Sequence, residues 1–480
     1  MPNRSADSLF QLVKSLEKSE KRNFKLYATR NSATEDLKII QLFDALDKME
    51  TYDEELLLKK TPDIKKQQLS NMKAHLTRQI LSSLRLLNNE SNIDIQLHEQ
   101  MDYARILYNK GLYLQSLKML DKMKEHARAH HQLTFLLQAV FFEKKIEALH
   151  ITRSMQDRAE LLAQEADDVQ RSLTMIGTLS NLSLQLYSWY IKNGHARNEK
   201  DEKDVERYFE GRLSFDLREV TDFYARLYLY QSYCWYAFIR QDFLLYYRYT
   251  QKWVDLFTRE PHMIAIETAH YIKGLHNLVN AHFGLQNYAK FNEVLDIFER
   301  FTASDIVANH ENNRIQVFVY LYTARINRHF MEGTFTAGLE LIPEIEEQLR
   351  RYSIYLDRHR VLVFYYKIAS LLFGSGDHER TIDYLNKIIN WKMDLRTDLQ
   401  CYSRLLHLIA HYELGNYDLL EYLIKSVYRF MAKMENLSRV EEEVFSFLRN
   451  SFHLSPRQLK PAFEELVATL KALKGNRFET

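Results

Sequence analysis

Glycine and proline are scarce in this chain, 12 and 6 among 480 residues, where ordinary usage would supply about 34 and about 24. Tight β-turns need both, so a fold built on hairpins of strands is disfavoured and long helices are favoured. Cysteine is almost missing too: Cys234 and Cys401 stand alone in the sequence, which excludes a disulfide framework and a cysteine-based zinc cluster. No charge of one sign prevails, since 65 Lys and Arg face 64 Asp and Glu. A broad electrostatic attraction to nucleic acid or to an anionic membrane is therefore not built into the composition. The one long uncharged run, Ser172 to Ile191, carries eight Ser, Thr, Asn or Gln residues, and reads as a buried helix rather than a membrane span. Residues 1–7 lead into an amphipathic segment with Lys14, Glu17 and Lys18 and lack the apolar core of a signal peptide. The compartment expected is the cytoplasm.

What the chain does have is periodicity. The first 90 or so residues read as helices near 6–17, 19–30, 34–49, 52–59 and 62–88, a separate N-terminal helical module. In the last of these, Thr61 would be the N-cap and Pro62 the first helical residue. Leu69, Met72, Leu76, Ile80, Leu84 and Leu87 then form one apolar stripe at helical spacing.

From about residue 93 a turn recurs between pairs of long amphipathic stretches, near Gly111, Ser154, Gly194, Gln241, Gln286, Gly333, Gly376 and Gly415. The period is about 43 residues, which two helices and two short connections fill. An aromatic stands three residues before six of these turns: Tyr108, Phe238, Phe283, Phe330, Phe373 and Tyr412. Recurrence on this scale is the mark of stacked helical hairpins, each hiding its apolar face against the next. His195 to Glu206, almost wholly polar, is expected to be an exposed loop or frayed helix end, and Thr258 to Pro261 a helix boundary.

The turns read Gly-Asp-His at 376–378, with Thr381 beyond. Gly111, Tyr113 and Ser116 follow the same pattern, as do Gln286, Asn287 and Tyr288. With the small residues Ala104 and Ala369 on the preceding helices, they resemble the tetratricopeptide family, over roughly residues 93 to 430. The units here take about 43 residues against that family's 34, and the layout is similar to bacterial Rap-type regulatory solenoids, which place a helical bundle before their repeats. The fold expected is all-α: a right-handed α-solenoid of about eight hairpins. Its divisions are 1–90, an N-terminal module; 93–435, the repeats; and 436–480, capping helices.

The resemblance implies that the first helix of each hairpin lines a concave face. Aligning on the turns places there Tyr228, Gln231 and Trp235, then His276 with Asn280, Thr323 with Asn327, and Tyr366 with Ser370. The matching asparagines Asn280 and Asn327 suit a peptide backbone, because an amide both donates and accepts. Residues 223–257 hold 14 aromatics in 35 positions, too many phases for one buried stripe, so some are expected to line a binding groove alongside Arg226, Arg240, Arg248 and Lys252. The aromatics before the turns read as packing between hairpins.

Other clusters read more plainly. His126, His130 and His131 lack a third ligand, and no metal or cofactor is expected. Seven cations between Lys59 and Asn89 read as the wet face of a helix. Glu143 with Lys144 and Lys145, and Glu441 to Glu443 near Arg439, read as solvated faces. No phosphate-cradling loop or nucleophile elbow is present in the sequence, and the chain is not expected to be an enzyme. The function expected is a non-enzymatic scaffold or adaptor that binds a protein or peptide on its concave face. The alternative is a regulator whose N-terminal module contacts nucleic acid or a signalling partner while the solenoid senses a ligand. Neither reading needs a membrane.

Overall fold

The computed structural model describes residues 7–30, 34–89, 92–150, 157–213, 216–391, 397–433, 438–451 and 454–473. Among these the secondary structure is helical, with no strand. None of the described helices is long and apolar enough to cross a membrane. The chain divides into two units, residues 1–173 and 174–480.

The first unit opens with α1 (Ser8–Ser15), α2 (Lys18–Thr29), α3 (Thr34–Lys48), α4 (Glu54–Lys60) and α5 (Lys66–Leu87). Their starts are capped by side chains: Asp7 accepts from Leu9 and Phe10 N–H at 3.1 Å, and Asp53 from Leu56 N–H at 3.0 Å. Val13, Phe24, Leu42, Phe43, Leu46, Leu57, Leu76 and Ile80 fill a shared core. Thr61 is not the N-cap of α5. It ends α4, where its buried hydroxyl donates to Leu57 O at 2.8 Å, and a turn closed by Ile64 N–H to Thr61 O precedes the helix. Three more helices follow, α6 (Ile93–Asn109), α7 (Tyr113–Ala129) and α8 (Leu133–Leu149), and then α9 (Arg158–Asn193), whose second half belongs to the next unit. Ala104 and Ser116, both buried, let α6 and α7 close on each other, and Ser116 Oγ donates to Ala104 O at 2.7 Å.

Glu143 is not on a solvated face. It is fully buried, receives Lys124 Nζ at 2.7 Å and pairs with Arg158; Lys124 also reaches Glu165 at 3.2 Å. Glu441 is likewise buried, with Oε2 accepting from Ser438 N–H at 2.5 Å, so it caps a helix start.

The second unit continues with α10 (Glu199–Glu210), α11 (Phe223–Ile239), α12 (Phe243–Arg259), α13 (Met263–Ile266), α14 (Thr268–Gly284), α15 (Tyr288–Thr302) and α16 (Asp305–Ala308). It then runs through α17 (Glu311–Glu332), α18 (Phe335–Gly338), α19 (Ile342–Arg351), α20 (Arg358–Ser375), α21 (His378–Ile389), α22 (Thr397–Glu413), α23 (Tyr417–Lys433), α24 (Arg439–Ser451) and α25 (Pro456–Leu473). Successive helices pack as neighbours, and α14 also packs on α12 and α17, as α20 does on α17 and α22. Only residues 195–198 of the segment 195–206 are a connection: from Glu199 on it is helix α10, which buries Val205 and, further along, Phe209, and buried Glu202 pairs with Arg240 at 2.7 Å.

The recurring turn has a physical basis. Gly111, Gly194, Gln241, Gln286, Gly333, Gly376 and Gly415 all adopt a positive φ, between 54° and 87°; Ser154 lies outside the described residues. This left-handed residue ends one helix, and the next N–H returns to a carbonyl inside it, as Asp377 N–H does to Leu372 O at 2.9 Å. The same acidic or amide residue caps the following helix: Asp242, Asn287 and Asp377 accept from Leu245, Lys290 and Arg380 N–H. The aromatic three residues earlier meets a ring across the turn, Tyr108 on Tyr113 at 5.6 Å, Phe373 on His378 at 5.1 Å and Tyr412 on Tyr417 at 6.0 Å. A further left-handed residue, His131 (φ 56°), joins α7 to α8 without a sequence signal of the same kind.

Candidate functional site

Within the second unit, side chains of five helices meet on one face. Counting back from the left-handed residues at 241, 286, 333 and 376, equivalent positions on α11, α14, α17 and α20 are Tyr228, Lys273, Tyr320 and Val363 in one row. Gln231, His276, Thr323 and Tyr366 form the second row, and Trp235, Asn280, Asn327 and Ser370 the third. Gln231 and Asn327 are buried and the other sequence-predicted residues half-buried.

The rows are drawn inward. Lys273 Nζ of α14 lies 5.5 Å from the Tyr187 ring of α9 and 5.6 Å from the Trp235 ring of α11, and those two rings are 4.9 Å apart. One ammonium of α14 thus ties together side chains of α9 and α11. His276 stacks on Tyr320 of α17 at 4.4 Å, which extends the convergence to a fourth helix.

Beneath the rings runs a chain of hydrogen bonds. Lys367 Nζ donates to Asn327 Oδ1 at 2.5 Å, Asn327 Nδ2 to Asn280 Oδ1 at 3.4 Å, and Asn280 Nδ2 meets His276 Nε2 at 2.9 Å. This direction makes Nε2 of His276 the acceptor and leaves the ring neutral. The two asparagines are thus engaged with each other, each with one amide N–H and one carbonyl lone pair beyond these bonds. Gln231 meets His270 Nδ1 at 3.0 Å and Ser183 at 3.5 Å, and Tyr228 approaches the His270 ring edge-on at 6.1 Å. Thr323 turns its hydroxyl back to Val319 O, and Ser370 donates to Tyr366 O, so these residues share the face but do not join the chain.

Electrostatically the face is positive and poorly hydrated. Burial lowers His276 to about 3, reinforced by the charges of Lys367, Lys273 and Arg360. Burial, then the charge of Lys273, lowers His270 to about 4. Burial lowers Lys367 to about 8 and depresses Lys273, on which Arg360 adds repulsion. Loss of hydration disfavours the charged form of each of these bases.

Sequence reasoning placed His276, Asn280, Asn327 and Trp235 on this face and missed Tyr187, His270, Lys273, Tyr320, Arg360 and Lys367. The available signal was the row begun by Tyr228, which was chosen, and continued by Lys273 and Tyr320, which were not. Of the 14 aromatics in 223–257, most pack between helices. Trp253 and Phe257 are fully buried, Tyr233 stacks on Tyr249 at 3.9 Å, and Tyr236 stacks on Phe209 at 4.2 Å.

The other clusters are taken up locally. His126 and His130 meet edge to face at 4.8 Å, with His130 Nδ1 2.9 Å from His126 O. In the basic segment of α4 and α5, Lys73 pairs with Asp7 at 2.9 Å and Arg85 with Asp102 at 3.2 Å. A comparison with models of known protein families finds no match to this chain, and a comparison with curated protein sequences finds none either.

Proposed function

We propose that residues 174–480 form a non-enzymatic binding scaffold, built of tetratricopeptide-like hairpins, whose recessed face holds an extended peptide segment of a partner protein. The observation that carries this reading is the convergence of Tyr187, Trp235, Lys273 and Tyr320 from four helices above a hydrogen-bonded chain of amides. Aromatic rings supply contact area at low entropic cost, and a pre-formed polar floor limits the ordering a ligand must undergo. Cys234 on α11 is buried and its thiol is pushed well up by that burial, which does not favour it as a nucleophile. The regulator reading rests on the basic segment 59–89, where Lys73 and Arg85 are already paired, and is the less favoured.

The test is selection of random linear peptides of about a dozen residues on the full chain, followed by calorimetry. Selected peptides should bind a Trp235→Ala, Tyr366→Ala variant at least tenfold more weakly, about 1.4 kcal/mol. Equal affinity for both proteins, or a library that yields no saturable binder, would remove this face from consideration.

A further inference from the structure

Building on the peptide-binding reading, we infer that the segment held by this face is acidic, its side-chain carboxylates entering the recess to pair with Lys273, Lys367 and Arg360. Two of these cations have no carboxylate partner among the described residues. Lys367 spends one donor on Asn327 and sits 5.5 Å from the Phe330 ring. Lys273 has the two rings of Tyr187 and Trp235 beside it and no hydrogen-bond acceptor among the described residues, although an ammonium carries three donors. Arg360 hydrogen-bonds the Tyr320 side chain and lies 5.9 Å from its ring, and the carboxylate it meets among the described residues is the largely exposed Asp357, at 3.4 Å.

The remaining groups around the two lysines do not compensate, and the carboxylate of Asp398 on α22 acts on Tyr366 rather than on either lysine. On α14, His270 and His276 are neutral where the lysines are charged, and Glu267, at that helix's N-terminal cap, accepts the Tyr224 hydroxyl at 2.7 Å and stands 3.8 Å from His270. From α9, α11 and α17 come Tyr187, Tyr228, Gln231, Trp235, Tyr320 and Asn327, none of them anionic. Ring faces attract a cation but cannot accept three hydrogen bonds. The result is a cluster of like charges, partly stripped of water, with ammonium donors that the described residues leave unmet. Charge complementarity is then satisfied from outside the chain.

A carboxylate is the fitting anion because of reach. Asp and Glu present it on a stem, so it can enter between helices about 8–10 Å apart while the peptide backbone stays at the aromatic rim. A nucleic acid carries its charge on the backbone itself and needs cations that project to the surface. The molecule's near-zero net charge also lacks the basic field that polynucleotide binders show.

The experiment measures anisotropy of three fluorescein-labelled probes on the full chain: a ten-residue alternating Glu-Ala peptide, its Gln-Ala counterpart and a ten-nucleotide oligothymidine. The Glu-Ala peptide should saturate at 50 mM NaCl and the Gln-Ala peptide should bind at least tenfold more weakly. A folded Lys273→Met, Lys367→Met variant, or 500 mM NaCl, should weaken the Glu-Ala peptide at least tenfold, and a Gln pair at the same positions should behave as the Met pair does. The inference is overturned by equal binding of both peptides, by no Glu-Ala binding up to millimolar protein, by indifference to the lysine variants, or by an oligonucleotide that binds more tightly than the peptide. A library-selected neutral peptide that is sensitive to Trp235→Ala, Tyr366→Ala but not to the lysine variants would overturn the acidic ligand while leaving the peptide-binding face in place.

Discussion

If Lys367 is kept for a ligand rather than for the fold, replacing it with methionine should stabilise the empty protein. Its ammonium falls from the ordinary 10.5 to about 8 through loss of hydration, and 2.5 pK units at 1.36 kcal/mol each set a ceiling of about 3 kcal/mol on the destabilisation at neutral pH. Part of that is offset in the real site, because the group keeps some access to water and donates to Asn327, so Lys367→Met should gain roughly 1–2 kcal/mol. The pH dependence has a definite sign. Below pH 8 the lysine is protonated in both states and its full cost is present. Between 8 and 10.5 the unfolded chain still holds the proton while the folded one has released it, so wild-type stability rises with pH across that window.

The four tryptophans, Trp189, Trp235, Trp253 and Trp391, all lie in residues 174–480, so their fluorescence in urea reports this unit alone. With a slope of about 3 kcal/mol/M for a unit of this size, the midpoint at pH 7 should rise by roughly 0.3–0.7 M in the variant. The gap between the two proteins should then close toward pH 10. A lower midpoint for Lys367→Met at pH 7, or parallel curves for the two proteins from pH 7 to 10, would refute the reasoning.

Three further outcomes follow from the packing and the buried charges. A Cβ at Gly374 would overlap the Phe335 ring, so Gly374→Ala should lose about 1–3 kcal/mol by overpacking despite better helix propensity; Phe335→Ala in the same chain should recover part of it in a urea double-mutant cycle. Glu143→Ala should cost up to about 3–5 kcal/mol because buried Lys124 loses its partner at 2.7 Å and keeps only Glu165 at 3.2 Å, while Arg158 loses its carboxylate too, whereas Lys124→Met with Glu143→Leu should melt near wild type by circular dichroism. In acid, His276 (about 3) and His270 (about 4) stay neutral in the fold while the unfolded chain protonates near 6.5. Stability should therefore fall as pH drops from 6.5 toward 4, and His276→Gln should shallow the urea midpoint curve there by up to about 1.4 kcal/mol per pH unit.

The hairpin turns were legible because one local geometry imposes two residue choices. A left-handed residue must end the first helix, and an Asp or Asn beside it caps the second; at 376–377 both choices appear as Gly-Asp. Gln241 and Gln286 show that the geometry survives without glycine, which is why the period mattered more than the residue. The α10 helix was hidden because Val205 and Phe209 are two apolar residues in a field of charges, and Glu202 counts as polar although Arg240 neutralises it in the interior. Thr61-Pro62 satisfied the capping preference, yet tertiary packing drew the Thr61 hydroxyl back onto Leu57 O. The inner-face cations were missed for a different reason. A lysine at helical spacing looks the same in sequence whether it points to bulk water or lies among the side chains of neighbouring helices, and only the packing of those helices distinguishes the two.

The chain itself supplies a contrast that bears on the role of those cations. Where a buried lysine is part of the architecture, carboxylates surround it: Lys124 has Glu143 at 2.7 Å and Glu165 at 3.2 Å, and Arg158 and Arg128 complete the network. The sequence therefore compensates a desolvated ammonium when the fold alone requires one. On the inner face of the second unit it leaves Lys273 and Lys367 without such partners, even though row positions such as Thr323 and Ser370 tie their hydroxyls to their own helices and could have carried an acid. An acid there would stabilise the free scaffold and occupy the cations that an incoming carboxylate needs. Stability withheld at one face and secured at the described hairpin turns is the pattern expected of a surface that completes its electrostatics by binding.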